Sequence, residues 1–398
     1  MAMSFLKPHC THRLPSSSSS ILNSPFPTIS PTKSLSANGS SFSTRIPNHF
    51  RALPISSTPT KPFSFKAFSS QISASAPKPD EMPARVGFLG LGIMGSPMAQ
   101  NLIKAGNDMY LLQNTFVISG GATLPFGIGR RANVVPLSRW VQSKAVSCGY
   151  KSSPKEVAAS CDVTFAMLAD PQSALDVACG EHGAAKGMSP GKGYVDVSTV
   201  DGATSKLIGT RIKATGALFL EAPVSGSKKP AEDGQLIFLT AGDRSLFETV
   251  APLLDVMGKS RFFLGDVGNG AAMKLVVNMI MGSMMASFSE GLLLSESVGL
   301  DPKVLVEVVS QGAISAPMFS MKGPSMVQSL YPTAFPLKHQ QKDLRLALGL
   351  AESVSQPTPI AAAANELYKV AKSRGLSDED FSAVIEALKV KLQSQSKE

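Results

Sequence analysis

The chain has 398 residues, 43% of them hydrophobic and 17% charged, which is enough for roughly two to three domains and a substantial buried core. Its formal charge of +9 suggests an anionic partner, but eight of the 38 Lys and Arg fall in residues 1–79, which hold no Asp or Glu. The remaining body balances 30 basic against 29 acidic groups, so nucleic acid is excluded as the expected partner, and four Cys without CxxC spacing exclude a disulfide framework or a zinc site.

Residues 1–79 contain twenty Ser, the run SSSSS among them, many Pro, and no sustained apolar block. That is the composition of a disordered organelle transit peptide rather than a secretory signal, with a basic tail kept in the mature chain as the alternative. After it, RVGFLG (85–90) is a short apolar strand, and LGIMGSPMAQNLIKAG (91–106) has helical periodicity ending on Gly. Between them GLGIMG fits GxGxxG at a strand-to-helix turn. Its first glycine permits the turn, its second the approach of a pyrophosphate, and its third close helix packing, while free helix N–H groups bind the anion. About twenty residues on, where an acid would hold the ribose 2′-OH of NAD, none occurs between Asp108 and Glu156, and the balance tips toward NADP.

Further apolar segments recur at α/β spacing: CDVTFAML (161–168), GYVDVST (193–199), ALFLEAPV (217–224), QLIFLTAG (235–242) and RFFLG (261–265). Alternation of such strands with helical stretches implies a parallel sheet wrapped on both faces. EAPVSGS (221–227) ends a strand with small side chains and backbone amides suited to a carboxylate, or is an ordinary Gly-Ser turn. DVSTVDG (196–202) is a strand end before a helix cap.

Beyond Gly265 the strand pattern stops. Long helical patterns run to about Leu388, with breaks expected at Asp301 and Pro302, at KGP (322–324), at YPTAFP and at QPTP. From Ala271 to Ser289 the only charged residue is Lys274, four residues before Asn278 and therefore on the same helical face. A buried unpaired ammonium is costly enough to need a partner or a task, and in a cleft it could protonate a carbonyl oxygen as hydride arrives. The same run is about long enough to cross a bilayer, but Lys274, Asn278 and several Gly and Ser favour a central packing helix. The cluster Met279, Met281, Met284 and Met285 is expected to fill core. KHQQKDLRLAL (338–348) is by default a solvated, charged helix face.

In order along the chain, GFLGLGIMGSPM, DVSTVD, EAPVSGSKKPAEDGQL, GNGAAMKLVVN and FPLKHQQKD resemble the motifs of the β-hydroxyacid dehydrogenase family, over 85–108 and about 150–388. The resemblance implies an α/β fold, with an N-terminal Rossmann-like doubly wound parallel sheet at 84–266 followed by an all-α C-terminal domain at 267–393. It implies that Gly90, Leu91, Gly92, Ile93, Met94 and Gly95 cradle the pyrophosphate of NADPH, with Thr199 on the nicotinamide side and Lys342 reaching the cofactor from the second domain. Ser225 and Gly226 would hold a substrate carboxylate, Lys274 would be the general acid, Asn278 would orient it, and Phe335 and Asp343 would close the site. No metal is implied.

The implied activity is NADPH-dependent reduction of small aldehyde acids, glyoxylate to glycolate and succinic semialdehyde to 4-hydroxybutyrate. A 3-hydroxyisobutyrate-type dehydrogenase and a non-catalytic oligomeric scaffold are the competing readings. A homo-oligomer with no membrane or nucleic-acid partner is expected, in the chloroplast stroma, with the mitochondrion left open as a second location. The chain departs from the family at 113–149: Gln113, Asn114 and Thr115 stand where the family has Asn-Arg-Thr, so the arginine expected at the 2′-phosphate is missing, and Arg130 or Arg131 is left as a substitute. The stretch 116–149 does not resemble the family, is about twenty residues longer than its counterpart, and lacks helical or strand periodicity.

Overall fold

The computed structural model describes residues 85–112 and 148–389; the leader expected at 1–79 and most of the atypical 113–149 stretch, with Gln113, Asn114, Thr115, Arg130 and Arg131, lie outside the described residues. The strand β1 (Arg85–Leu89) sits inside the sheet, with Val86, Phe88 and Leu89 fully buried. Beside it run β2 (Asp108–Leu112) and β3 (Cys148–Lys151) on one side, and β4 (Val163–Ala166), β5 (Gly193–Asp196) and β6 (Leu218–Glu221) on the other. All six are parallel, in the order β3-β2-β1-β4-β5-β6. This is the doubly wound order in which the chain first builds outward on one side of β1 and then returns to build on the other. The beginning of β3 also shows that the strand-poor reading of 116–149 ends too late: Cys148 and Gly149 already pair with Met109 and Tyr110.

The period of two along each strand sends alternate side chains to two cores. Val86 and Phe88 join Met98 and Leu102 of α1 (Gly95–Lys104) on one face, whereas Leu89 joins Val157 of α2 (Pro154–Ser160), Val177 of α3 (Pro171–Cys179) and Ile208 of α4 (Gly202–Lys213) on the other. Three of these helices begin with the expected cap: Ser153, Asp170 and Asp201 each accept a backbone N–H three residues on.

The sheet is parallel only as far as β6. From Glu221 the chain passes through β7 (Val224–Ser225) and the five-residue α5 (Lys228–Glu232) before β8 (Leu236–Gly242), which runs antiparallel to both β6 and β7. A connection holding so short a helix returns the chain alongside instead of carrying it over the sheet, as a parallel crossover requires. The helix α6 (Arg244–Met257) then restores a parallel step to β9 (Gly258–Phe263).

From Asn269 the described chain is helical: α7 (Asn269–Ser297), α8 (Pro302–Gln311), α9 (Pro317–Val327), α10 (Leu337–Ser353), α11 (Pro359–Ser373) and a closing 3₁₀ turn (Phe381–Ala387). Asp301 and Pro302 act as a helix start, the Asp301 side chain accepting from Lys303 N with Pro302 in the first turn. KGP is no break: Pro324 lies inside α9, near enough to its end that the missing N–H interrupts only the last turn.

At 29 residues α7 is long and apolar enough to cross a membrane by length and composition. Its two sides differ, however. Lys274, Asn278, Met285, Ser289 and Leu292 are buried, while Met273, Val276, Ile280 and Leu294 form a second apolar stripe that is exposed. Of the methionine cluster, Met285 is fully buried, and Met279 and Met281 pack partly buried against the helical core.

Candidate active site

The glycine turn stands at the carboxyl ends of β1 and β4, the neighbouring strands from which the chain departs in opposite directions. Crevices at such a point receive dinucleotides in open α/β sheets. Each glycine has a separate physical reason. Gly90 has φ +93°, and a Cβ there would overlap the backbone carbonyl of Met167; a Cβ on Gly95 would overlap the carbonyl oxygen of Gly90. A Cβ on Gly92 would meet no protein atom within 4 Å. Nothing in the protein demands glycine at 92, so the space in front of it suits a close-approaching ligand. The N-terminus of α1 carries no side-chain cap and no acid in its first turn; Ser96 N and Met98 N donate to Gly92 O and Met94 O and Pro97 has no N–H, so the positive end of the helix, more than its first-turn donors, favours an anion in that space. The residues present therefore fit a pyrophosphate.

On the other side, α7 is anchored where it leaves the sheet. Glu221, at the end of β6 and 2% exposed, accepts the backbone N–H groups of Gly268 and Gly270 at 2.7 Å and of Ala271 at 3.3 Å, and the hydroxyl of Ser205 as well. A carboxylate at a helix N-terminus satisfies orphan donors and complements the helix dipole. Burial raises its pKa, and these hydrogen bonds oppose the rise. Glu221 was read from sequence only as the first letter of EAPVSGS; a strand-ending acid followed some fifty residues later by a helix start carries no local signal of the contact.

One turn inside α7, Lys274 is 6% exposed and donates to Asn278 Oδ1 at 2.8 Å. Asn278 Nδ2 donates to Asp343 Oδ2 at 2.6 Å, Lys342 Nζ lies 3.0 Å from Asp343 Oδ1, and Lys342 also donates to the backbone carbonyl of Thr199 at 2.6 Å. The ammonium thus has a partner four residues on, and through it a chain of bonds that crosses from α7 to α10 and back to the sheet. Burial pushes the Lys274 pKa down to about 8; the Asp343 carboxylate opposes that shift and the Lys342 charge adds to it.

The expectation of a solvated face for 338–348 fails at its start. Gln340, Gln341, Lys342 and Asp343 are all buried, and of the early charges only Lys338 is exposed, paired with Asp378 at 2.6 Å. The run reads as polar because its buried side chains find partners on other helices: Gln340 donates to Asn278 O of α7 and Gln341 to Asn365 of α11.

A cavity of about 190 Å³ joins the two halves of the site. Gly92, Ile93, Met94, Gly95 and Thr199 line it from the sheet side, and Phe335, Lys342 and Asp343 from the helical side. Lys274 and Asn278 stand behind Asp343 in the hydrogen-bonded chain, and Gly90 and Leu91 form the turn beneath. Ser225 and Gly226 do not border this cavity; they end β7, where Ser225 faces Ile237 of β8 and Gly226 has φ +136°. His339 lines the cavity and was not singled out from sequence, although it precedes Asp343 by four residues and so shares its face. Burial holds the imidazole at about 4, well below its usual value, with the Lys342 charge adding to the shift, so it is neutral near pH 7.

Comparison with known proteins agrees with this two-part architecture. A family model described as the NAD binding domain of 6-phosphogluconate dehydrogenase matches residues 85–121 and 130–265, and one described as NAD-binding of NADP-dependent 3-hydroxyisobutyrate dehydrogenase matches 268–388. The first narrows the foreign stretch expected at 116–149, since only 122–129 falls outside its match. The chain is 67% identical over 349 residues to chloroplastic glyoxylate/succinic semialdehyde reductase 2 of Arabidopsis thaliana, covering 87% of this chain and 92% of that one. It is 51% identical over 304 residues to glyoxylate/succinic semialdehyde reductase 1 of the same plant, covering 76% and 98%. Among solved structures, 3-hydroxyisobutyrate dehydrogenase (ygbJ) from Salmonella typhimurium aligns with TM-score 0.65 at 25% identity, over 76% of this chain and 99% of that one.

Proposed function

The chain belongs to the β-hydroxyacid dehydrogenase family, an oxidoreductase family, and from that premise we propose that it uses NADPH to reduce small aldehyde acids. The substrates are glyoxylate, giving glycolate, and succinic semialdehyde, giving 4-hydroxybutyrate, as the names of the two Arabidopsis relatives suggest. The observation that carries the reading is the buried Lys274, bonded through Asn278 to Asp343 on the wall of a cavity whose opposite side is the glycine turn.

The glycine turn would hold the cofactor pyrophosphate, with Thr199 toward its nicotinamide end and Lys342 contributing from α10. When bound, NADPH supplies the hydride. The family resemblance gives the substrate carboxylate to Ser225 and Gly226, which do not border the cavity in this structure, and Phe335, which does, would exclude water from the aldehyde end. Lys274 would give a proton from Nζ to the carbonyl oxygen, which stays on its carbon as the hydroxyl of the product alcohol. Asn278 keeps Nζ pointed along one line by accepting one of its protons, and Asp343 fixes the Asn278 amide in turn.

A second reading, a 3-hydroxyisobutyrate-type dehydrogenase working in the oxidative direction, is favoured by the description of the 268–388 match and by the Salmonella structure. Initial rates with NADPH and glyoxylate, set beside rates with NADP and 3-hydroxyisobutyrate, separate the two. A higher kcat/KM on the hydroxy acid would overturn the reductase reading. Absence of any rise in nicotinamide fluorescence on titrating NADPH would leave only the non-catalytic scaffold.

The pH profile follows from the lysine. Reduction needs Lys274 protonated, and its pKa is about 8. So kcat should be level below about pH 7 and fall about tenfold per unit above about pH 9. Asp343 favours the ammonium, hence Asp343→Asn should move the midpoint to lower pH. A stopped-flow rate profile in both proteins checks the position and the direction.

The exposed stripe of α7 (Met273, Val276, Ile280, Leu294), continued by Ile360 of α11, is the surface a second copy covers in a homo-oligomer. Ile280→Asp should reduce the mass measured by light scattering to that of one chain. Residues 1–79 direct the chain to the plastid stroma, where the 67% identical relative is chloroplastic by name, and no membrane or nucleic acid is a partner. A fluorescent fusion of these residues that stays in the cytosol would overturn the address; one found in mitochondria too would extend it.

A further inference from the structure

Residues 331–336, which bring Phe335 to the cavity, hold two prolines and no helix, yet they are tied along their length to a single C-terminal stretch. Tyr331 O accepts from Asp380 N at 3.2 Å, Phe335 O accepts from Phe381 N at 2.9 Å, and Leu337 N donates to Glu379 O at 2.9 Å. Pro336 and Asp380 form an antiparallel bridge. At the centre of this strap is a carboxylate that is 1% exposed. Oδ2 of Asp380 accepts the N–H groups of Ala334 at 3.0 Å and Phe335 at 3.2 Å. Its Oδ1 accepts from Ser382 N at 3.2 Å and Ser382 Oγ at 2.7 Å, and meets Lys322 Nζ of α9 at 2.9 Å.

Lys322 also reaches the Phe335 ring, through Phe381. Lys322 lies over the Phe381 ring, 5.3 Å from its centroid, and Phe381 meets Phe335 edge-on at 5.8 Å. Asp380 takes no part in the bonds that hold Lys274. An ion pair this deep is retained at a cost in desolvation, which only a full set of hydrogen bonds offsets, and here half of that set goes to the backbone of the Phe335 loop and half to Ser382.

The geometry points to Asp380 and Lys322 as a positioning pair that sets where Phe335 stands and thereby which length of aldehyde acid the cavity selects. The inference rests on the aldehyde-acid reading above. Glyoxylate has no methylene between its carboxylate and its aldehyde, so it depends on the Phe335 wall being close. Succinic semialdehyde has two, and they find contact when the ring backs away. Contacts of one methylene are worth about 10- to 200-fold in specificity, so a displaced wall reads out as a changed ratio between the two acids.

The test is the full chain carrying Lys322→Met with Asp380→Asn, which removes both charges together and leaves neither buried alone. KM for glyoxylate should rise about tenfold and KM for succinic semialdehyde less than about threefold. Both kcat values and the NADPH dissociation constant from nicotinamide fluorescence should stay within about twofold. Hydrogen exchange should show the Ala334 and Phe335 amides losing protection. Parallel changes in the two acids, or an unchanged ratio with freely exchanging amides, overturn the selectivity role. Unchanged amides overturn the strap itself. If the double variant does not fold, Phe381→Leu, which keeps the ion pair, should shift the ratio in the same direction by a smaller factor, and an unchanged ratio overturns the proposal. A wild-type chain that reduces neither acid defeats the aldehyde-acid reading and the selectivity built on it, while the amide exchange independently decides whether Asp380 holds the loop.

Discussion

Lys274→Ala is expected to lower kcat for glyoxylate reduction by about 10³-fold, within the range a positioned general acid contributes, with little change in NADPH affinity. The variant should remain folded, because the substitution removes a buried ammonium instead of stranding one. What it strands is Asn278 Oδ1, whose partner at 2.8 Å disappears; the loss of one hydrogen bond costs about 1–3 kcal/mol of stability. Lys274→Arg should not restore turnover. A guanidinium keeps the charge but holds its proton too tightly to give it to a carbonyl oxygen near neutral pH. Single-turnover rates with saturating NADPH measure the step directly. A Lys274→Ala protein that retains wild-type rates would remove the acid from the mechanism and leave the buried ammonium as a structural charge.

The contrast between Lys274 and Glu221 explains what could be read from the letters. The lysine was legible because its signal is local: one charge in an apolar helix, with an amide side chain four residues on, forces the two onto one face, and the hydrogen bond between them follows from that spacing. The α/β class was legible for a similar reason, since short apolar strands alternate with helices after a glycine turn, but the order β3-β2-β1-β4-β5-β6 was not, because neither β2 nor β3 is among the segments the sequence marks as strands. Glu221 closes a contact of some fifty residues' separation, and no pattern within a strand announces which distant helix end it will cap. The reversal of β8 was hidden too, because an apolar strand in this sheet looks the same in either direction and only the five-residue α5 before it decides the return.

The polar start of α10 misled in the opposite sense. Gln340, Gln341, Lys342 and Asp343 look like a solvated face by composition, and each is buried because its partner arrives from another helix or from the sheet. Charge in a sequence marks exposure only when the counter-groups are local.

The three glycines of the turn allow the second large effect to be divided cleanly between folding and binding. Gly92→Val should leave the melting temperature nearly unchanged, because a Cβ there meets no protein atom within 4 Å and the backbone is not left-handed. It should raise the NADPH dissociation constant on the order of 100-fold, ~2.7 kcal/mol, because the added carbons fill the space a pyrophosphate needs. Gly95→Ala should act the other way round. Its Cβ would overlap the carbonyl oxygen of Gly90 and press on Phe88, so β1 and α1 must part, and the fold loses about 1–3 kcal/mol whether or not cofactor is present. Thermal melts with and without NADPH separate the cases: the Gly92 variant should melt like the wild-type apoprotein and gain far less from NADPH than the wild type does, whereas the Gly95 variant should melt lower in both conditions. Were the Gly92 variant to bind NADPH normally, the anion would have to sit elsewhere, and the cavity between the glycine turn and Asp343 would lose the ligand assigned to it.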